Sequence, residues 1–295
     1  MANHHFAKLG DVWKHLPLAE VLAWDRPAHY WESHAGSAVY PMVDDAERRY
    51  GALGVWDAAT VGGAPGLARS RYLRVLRAVN GPGERLTRYP GSARLAMVEL
   101  GDKADYLLCD SDPASAASLR AAAVGVGLGE RAEVVEGDGR DVLAGALARA
   151  ADPGSVLAFV DPFDPRAAGP GGLSALDLGR RVLSAGAALV YWYGYDRPDR
   201  RCWALDELAR GGHGVPLWCG DIRVEAEGEP AVRDDGDLGV ATTPGTGFGI
   251  VCGRVSDPAL RHVTALGEAL VAAYEGARLP GGGPGHLALT VRTVP

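Results

Sequence analysis

With 295 residues, 47 % hydrophobic and 23 % charged, the chain is longer than most single domains but within the reach of an α/β domain, and it can bury a core of normal size. Its formal net charge of −7 is the opposite of the basic footprint that nucleic-acid binders carry, which argues against RNA or DNA as substrate unless a local basic groove exists. Cys109, Cys202, Cys219 and Cys252 form no Cys-x-x-Cys pair, no apolar signal region opens the chain and no apolar run is long enough to span a bilayer, so a cytoplasmic protein with buried reduced thiols, no metal and no membrane partner is expected.

Residues 11–24 carry Val12, Leu16, Ala19, Val21 and Leu22 at roughly helical spacing and predict a helix, distorted or split at Pro17. Residues 29–33 read as a short strand, followed by the small-residue turn His34-Ala35-Gly36-Ser37-Ala38. Residues 44–88 are rich in Ala, Arg and Leu, contain no convincing strand and break at Gly62-Gly63 and Gly81-Pro82-Gly83; they read as a helical insertion. Tyr89-Pro90-Gly91-Ser92 opens a helix to about residue 100.

A regular alternation follows. Strands are expected at 106–110, 133–137, 156–161 and 187–193, and helices at 113–126, 141–151, 176–185 and 200–210. Strands 217–226 and 247–255 look like an antiparallel pair joined by a long polar connection; a helix at 259–277 and a strand at 287–294 end the chain. The pattern predicts a Rossmann-like fold, with a mostly parallel sheet, an antiparallel C-terminal hairpin and a helical insertion after the first strand. The implied division is 1–43 and 89–295 as one domain, interrupted by 44–88.

In such sheets ligands bind outside the carboxyl ends of the strands, near the switch point. Four acids fall there: Glu32, Asp110, Asp138 and Asp161. Singly, each could be a turn or helix cap. Jointly they suit S-adenosylmethionine. Its aminocarboxylate can sit on backbone N–H groups of a turn that Gly36 opens to close approach. Its ribose hydroxyls can donate to Asp110 and its adenine amino group to Asp138, which leaves Asp161 nearest the methyl group. The turn lacks the full Gly-x-Gly-x-x-Gly pattern and no glycine-rich phosphate cradle follows Asp110, which counts against NAD.

Several short motifs carry a family resemblance: Asp11-Val12-Trp13-Lys14-His15, Tyr30-Trp31-Glu32-Ser33-His34-Ala35-Gly36, Tyr89-Pro90-Gly91-Ser92, Asp138-Gly139 and Pro284-Gly285-His286. In order and spacing the chain resembles the bacterial large-subunit ribosomal RNA adenine-N6 methyltransferases that carry a helical insertion after the first strand. The resemblance implies a class I methyltransferase fold, an S-adenosyl-L-methionine site formed by His34, Gly36, Ser92, Asp110, Asp138, Gly139 and Asp161, and an active-site role for Lys14. From its residues alone, Lys14 would read as a solvated helix position.

The family's Asp-Pro-Pro-Tyr signature is here Asp161-Pro162-Phe163-Asp164. Asp161 and the Pro162 carbonyl can still hold an N–H2 group and aim its lone pair, a gain from positioning that needs no metal. Asp164 cannot stack on a base as the family's aromatic does. A replacement could come from Tyr191, Trp192, Tyr193 or Tyr195, with Tyr193 taken alongside Phe163 and Asp164 as substrate-binding. The acids Glu225, Glu227, Glu229, Asp234, Asp235 and Asp237, against Arg233 alone, make a poor neighbour for RNA and a good one for a cationic amine. The favoured expectation is methylation of a small-molecule amine or metabolite. The alternatives are adenine-N6 methylation of ribosomal RNA, and a donor-binding homologue that acts as a partner subunit or redirects the donor's chemistry. Oligomeric state stays open.

Overall fold

The structure is a computed structural model that describes residues 5–61, 63–81, 85–212, 214–226 and 242–295. Its first part comprises α1 (Leu9–Asp25), β1 (His29–Glu32), β2 (Val39–Pro41), α2 (Ala46–Tyr50), α3 (Ala52–Val61), α4 (Pro65–Ala68), α5 (Arg71–Asn80), β3 (Arg88–Pro90) and α6 (Ser92–Leu100). The alternating part comprises β4 (Asp105–Asp110), α7 (Pro113–Gly125), β5 (Ala132–Glu136), α8 (Gly139–Leu147), β6 (Val156–Val160), α9 (Ala175–Ala185), β7 (Ala188–Tyr195) and α10 (Trp203–Ala209). It closes with β8 (Leu217–Ala226), β9 (Gly247–Gly253), α11 (Asp257–Ala273) and β10 (Gly285–Val294).

One eight-stranded sheet runs β10-β8-β9-β7-β6-β1-β4-β5. The strands from β7 to β5 are parallel, whereas β9, β8 and β10 join antiparallel. Strand order reverses between β1 and β6, which puts the switch point at their carboxyl ends.

Period-two alternation decides what each strand residue touches. On β6, Leu157 and Phe159 enter the core under α1, α6 and α11, while Val156, Ala158 and Val160 enter the core under α8, α9 and α10. On β7, Val190 and Trp192 join the first layer, and Leu189, Tyr191, Tyr193 and Tyr195 the second. Helix starts follow the sequence: Asp112 caps α7, Asp138 caps α8, Ser256 caps α11, and Ser174 with Asp177 forms a capping box on α9.

The structure differs from the sequence expectations in two places and extends them in a third. Pro17 does not split α1, which runs unbroken with nearly every residue from Leu9 to Leu22 buried. Packing against α5, α6, α11 and β9 outweighs the lost hydrogen bond. Tyr89 and Pro90 lie not in a helix but in β3, which pairs with β2 through Val39↔Pro90, Tyr40↔Tyr89 and Pro41↔Arg88. Strands of three residues, each with a proline, leave no periodic signal. Finally, β10 extends the antiparallel edge by pairing along β8. Among the described residues no helix is long and apolar enough to cross a membrane, and no group of three or more His, Cys, Asp or Glu could hold a metal ion.

Candidate active site

The order β6-β1-β4-β5 sets Asp161, Glu32, Asp110 and Asp138 side by side along one rim of the sheet. Their environments differ. Glu32 is fully buried, accepts from Tyr30 Oη at 2.9 Å and from Ser92 Oγ, and burial pushes its pKa up to about 8. Glu32 is therefore an uncharged interior group at neutral pH. Ser92, buried at the first residue of α6, turns its hydroxyl inward to that carboxyl.

Gly36 has φ +58°, and a Cβ there would stand 2.6 Å from Tyr40 Oη, so the turn needs glycine. Four of the turn's backbone N–H groups expected to receive an aminocarboxylate, those of residues 35–38, are engaged within the protein, which corrects that expectation for them. Ala35 N donates to Cys109 O at 2.9 Å, Gly36 N to Asp110 Oδ2 at 2.7 Å, Ser37 N to Tyr40 Oη at 2.8 Å and Ala38 N to Ser118 Oγ at 3.2 Å. Asp110 also accepts from Asp112 N at 2.9 Å through Oδ1. His34 Nδ1 lies 2.8 Å from Ser33 Oγ, and burial, aided by Arg140, lowers its pKa to about 4, which keeps the ring neutral.

Asp138 caps α8 and is gripped by Arg140 from the same turn: Nε donates to Oδ1 at 2.8 Å and Nη2 to Oδ2 at 2.5 Å. Those bonds hold the Asp138 carboxyl below its usual range. Gly139 lies so close to β1 that a Cβ would fall 1.9 Å from Ser33 O. Asp138 Oδ1 also accepts from Arg140 N at 3.0 Å and is filled, whereas Asp138 Oδ2 and both oxygens of Asp110 keep lone-pair capacity for one more donor. The pair thus fits the hydroxyl and amino donors of an adenosine group.

Asp161 follows β6 and meets α1. Lys14 Nζ lies 2.7 Å from Asp161 Oδ2 and 2.7 Å from Asp11 Oδ1, with side-chain exposures of 12 %, 15 % and 11 % for Lys14, Asp161 and Asp11. Against the penalty of burial, the two carboxylates hold the lysine protonated far above its ordinary range. The ammonium also lies 5.4 Å from the Trp192 ring centroid. At the next residue of α1, His15 Nδ1 is 2.9 Å from Tyr89 Oη, so the first and third motifs touch.

Beyond Asp161 and Pro162, Phe163 is 68 % exposed. Asp164 lines the small cavity beside Phe163, with one oxygen engaged locally. Its Oδ1 accepts from Arg166 N at 2.9 Å and Ala167 N at 3.1 Å, a local turn closed by a short side chain. Tyr193 is unavailable for stacking. It points into the opposite layer, is 1 % exposed and donates to Asp221 Oδ2 at 2.7 Å. Tyr195 donates to Asp221 Oδ1 at 2.5 Å from the same side. Trp192, one residue from Tyr193 and on the other face, is the aromatic that joins Lys14 and stacks on Phe248. A cavity of about 70 Å³ lies between Pro162, Phe163 and Trp192 on one side and Arg200 and Trp203 on the other.

His286 stands away from this crevice, on the edge strand β10, with Nε2 3.1 Å from Glu225 Oε2. Glu225 also pairs with Arg223. The other acids of that connection (Glu227, Glu229, Asp234, Asp235 and Asp237) and Arg233 lie outside the described residues. Asp11 and Arg140 are the residues that sequence reasoning missed as site groups. The Asp11-x-x-Lys14 spacing was a visible signal for the first; nothing pointed to the second.

A doubly wound sheet, acids at adjacent strand ends and a glycine turn after β1 define a Rossmann-like α/β fold. No family model matches the chain, and no curated protein matches it. Among solved structures, protein LPL1258 from Legionella pneumophila str. Philadelphia 1, family model DUF519, superposes with a TM-score of 0.67 at 18 % identity, over 98 % of this chain and 98 % of that one. The SAM-dependent methyltransferase from Agrobacterium tumefaciens gives a TM-score of 0.37 at 15 % identity, over 82 % of this chain and 61 % of that one. The first likeness establishes a fold shared from end to end. The second is too slight to add to it.

Proposed function

We propose that the chain is an S-adenosylmethionine-dependent methyltransferase acting on an amino nitrogen of a small-molecule acceptor. The observation that carries this reading is Asp161, fixed by Lys14 at the switch point and followed by Pro162 at the mouth of a small cavity. The motif-level resemblance to the ribosomal RNA adenine-N6 methyltransferases supports the donor assignment.

When bound, the donor supplies an electrophilic methyl group on a sulfonium. Asp110 and Asp138 would hold its ribose and adenine, and the Gly36 turn fixes Asp110 through its N–H. On the acceptor side, Lys14 engages Asp161 Oδ2 and leaves Oδ1 to accept an N–H. A second N–H can go to the Pro162 carbonyl. Two acceptors on one amine fix the direction of its lone pair, and such orientation is a large part of what a displacement needs. Asp161 is also the base in reach of the proton that the methylated nitrogen must lose.

The cavity of about 70 Å³ suits a small group, and acids and arginines alternate around it, with Asp164 and Asp196 against Arg166 and Arg200. This is no continuous basic groove. A second reading, methylation of adenine in ribosomal RNA, is favoured by the exposed ring of Phe163, which could stack on a base.

Calorimetry with S-adenosylhomocysteine, followed by labelled-methyl transfer to a panel of amines and to naked ribosomal RNA, tests both readings. Binding with transfer to amines is expected, and Asp161→Asn should reduce transfer by about 10²–10⁴-fold. Transfer confined to RNA would select the second reading. Failure to bind the donor product would remove both.

A further inference from the structure

Arg140 has no role in the reaction as set out above, yet it is the most heavily bonded cation at the rim. Besides its pair with Asp138, its Nη1 donates to Ala167 O at 2.7 Å. Ala167 lies in the strap of residues 165–172 that leaves the acceptor motif. Its N–H in turn donates to Asp164 Oδ1. A continuous line of hydrogen bonds thus runs from Asp138 through Arg140 and Ala167 to Asp164, the residue after Phe163.

The strap is built to lie there. A Cβ on Gly169 would come within 2.7 Å of both Arg140 Nη2 and Asp138 Oδ2, and one on Gly171 within 2.1 Å of Asp141 Oδ1. Gly171 N donates to Asp141 Oδ2 at 3.0 Å, so the strap is pinned to the first turn of α8 at two points. Only glycine lets backbone approach a bidentate guanidinium–carboxylate pair this closely. The same line accounts for an aspartate at position 164: its carboxylate turns the chain into the strap.

Resting on the donor assignment above, we propose that Arg140 is a positioning residue that aims Asp138 at the donor's adenine and, through Ala167 and Asp164, locks the strap that follows Phe163, so that donor binding sets the acceptor side. Removing the guanidinium frees both the acid and the strap. Removing only the Asp164 carboxylate frees the strap and leaves the acid aimed.

Hydrogen exchange over residues 165–172 and calorimetry with S-adenosylhomocysteine and its deaminated inosine analogue form the test, applied to the full chain and to R140M, R140K, D164A and D164N. In the unmodified protein the adenosine ligand should slow exchange in the strap and bind more tightly than the inosine analogue. R140M should weaken adenosine binding about tenfold, the worth of a charge-assisted contact, and lose both the discrimination and the slowing. R140K should recover part of each. D164A should keep affinity and discrimination but lose the slowing, and D164N, whose amide oxygen can still close the turn, should restore it. Wild-type affinity and strap protection in R140M would overturn the proposal. If the unmodified protein binds no adenosine ligand, the donor assignment fails. The coupling is then judged without ligand: faster strap exchange in R140M and D164A supports the line of bonds, and unchanged exchange overturns it.

Discussion

The two halves of the crevice are built on opposite plans. At the ends of β1, β4 and β5 the polar groups are locked to one another: Glu32 to Tyr30 and Ser92, Gly36 N–H to Asp110, and Asp138 to Arg140. At the ends of β6 and β7 a part-buried lysine stands between two acids, and beyond it the groups open to solvent, as the exposed ring of Phe163 shows. The first half is a frame that a ligand can join only through spare lone pairs. The second is a poised charge beside an open mouth. Substitutions at Glu32 should therefore register as stability and its pH dependence, those at Asp110, Asp138 and Arg140 as donor binding, and those in the open half as both stability and transfer.

Lys14→Met is the sharpest way to break that contrast. It leaves Asp11 and Asp161 facing each other with no cation between them. Breaking a buried pair from one side typically costs about 3–5 kcal/mol. Denaturant unfolding should show a loss of that order, and transfer should fall as steeply as in Asp161→Asn. Asp11→Asn combined with Lys14→Met should regain part of the stability without regaining transfer. A Lys14→Met protein that unfolds like the parent would mean that the ion triad contributes nothing to the fold.

The frame gives a prediction in pH. Glu32 ionises near 4.5 in an unfolded chain and near about 8 when folded, because of burial. Between those values the folded state keeps a proton that the unfolded state has released. Stability should therefore fall as pH rises through this window, by up to about 1.4 kcal/mol per unit from this one group, and level off above it. Glu32→Gln cannot titrate and should lose that component, so its stability relative to the parent should rise steadily from pH 5 to pH 8 in urea unfolding. Parallel curves would show that Glu32 is already ionised in the native protein.

The same contrast separates what sequence conveys from what it does not. Strands and helices from Asp105 to Ala209 were legible because apolar periodicity and caps such as Asp112 and Ser174 act locally. The four acids were legible as a row because strand ends are visible in sequence. Their separate fates were not. Burial neutralises Glu32 and Arg140 engages Asp138, and both depend on neighbours from other segments. The turn of Asp164 into the strap was equally hidden, since an aspartate after Pro162-Phe163 has no fixed conformation in sequence. The choice of Tyr193 over Trp192 as the site aromatic was an error that the alternation of β7 could have prevented. Val190 belongs with the α1 layer, so Trp192 does and Tyr193 does not.

That alternation supplies the smallest effect and the finest test of the comparison. Tyr193→Phe removes one hydroxyl from Asp221, which keeps Tyr195 Oη at 2.5 Å and Cys202 N at 3.3 Å. A buried hydrogen bond of this kind is worth about 1–2 kcal/mol, and the loss should appear in unfolding alone, with donor binding and transfer unchanged. Trp192→Ala should behave in the reverse sense. It strips the ring beside the Lys14 ammonium and one wall of the cavity, so transfer should drop beyond what the accompanying loss of packing against Phe248 explains. Should Tyr193→Phe lower transfer while unfolding is unaffected, the hydroxyl would have to face the crevice, and the division of β7 between two layers would be wrong.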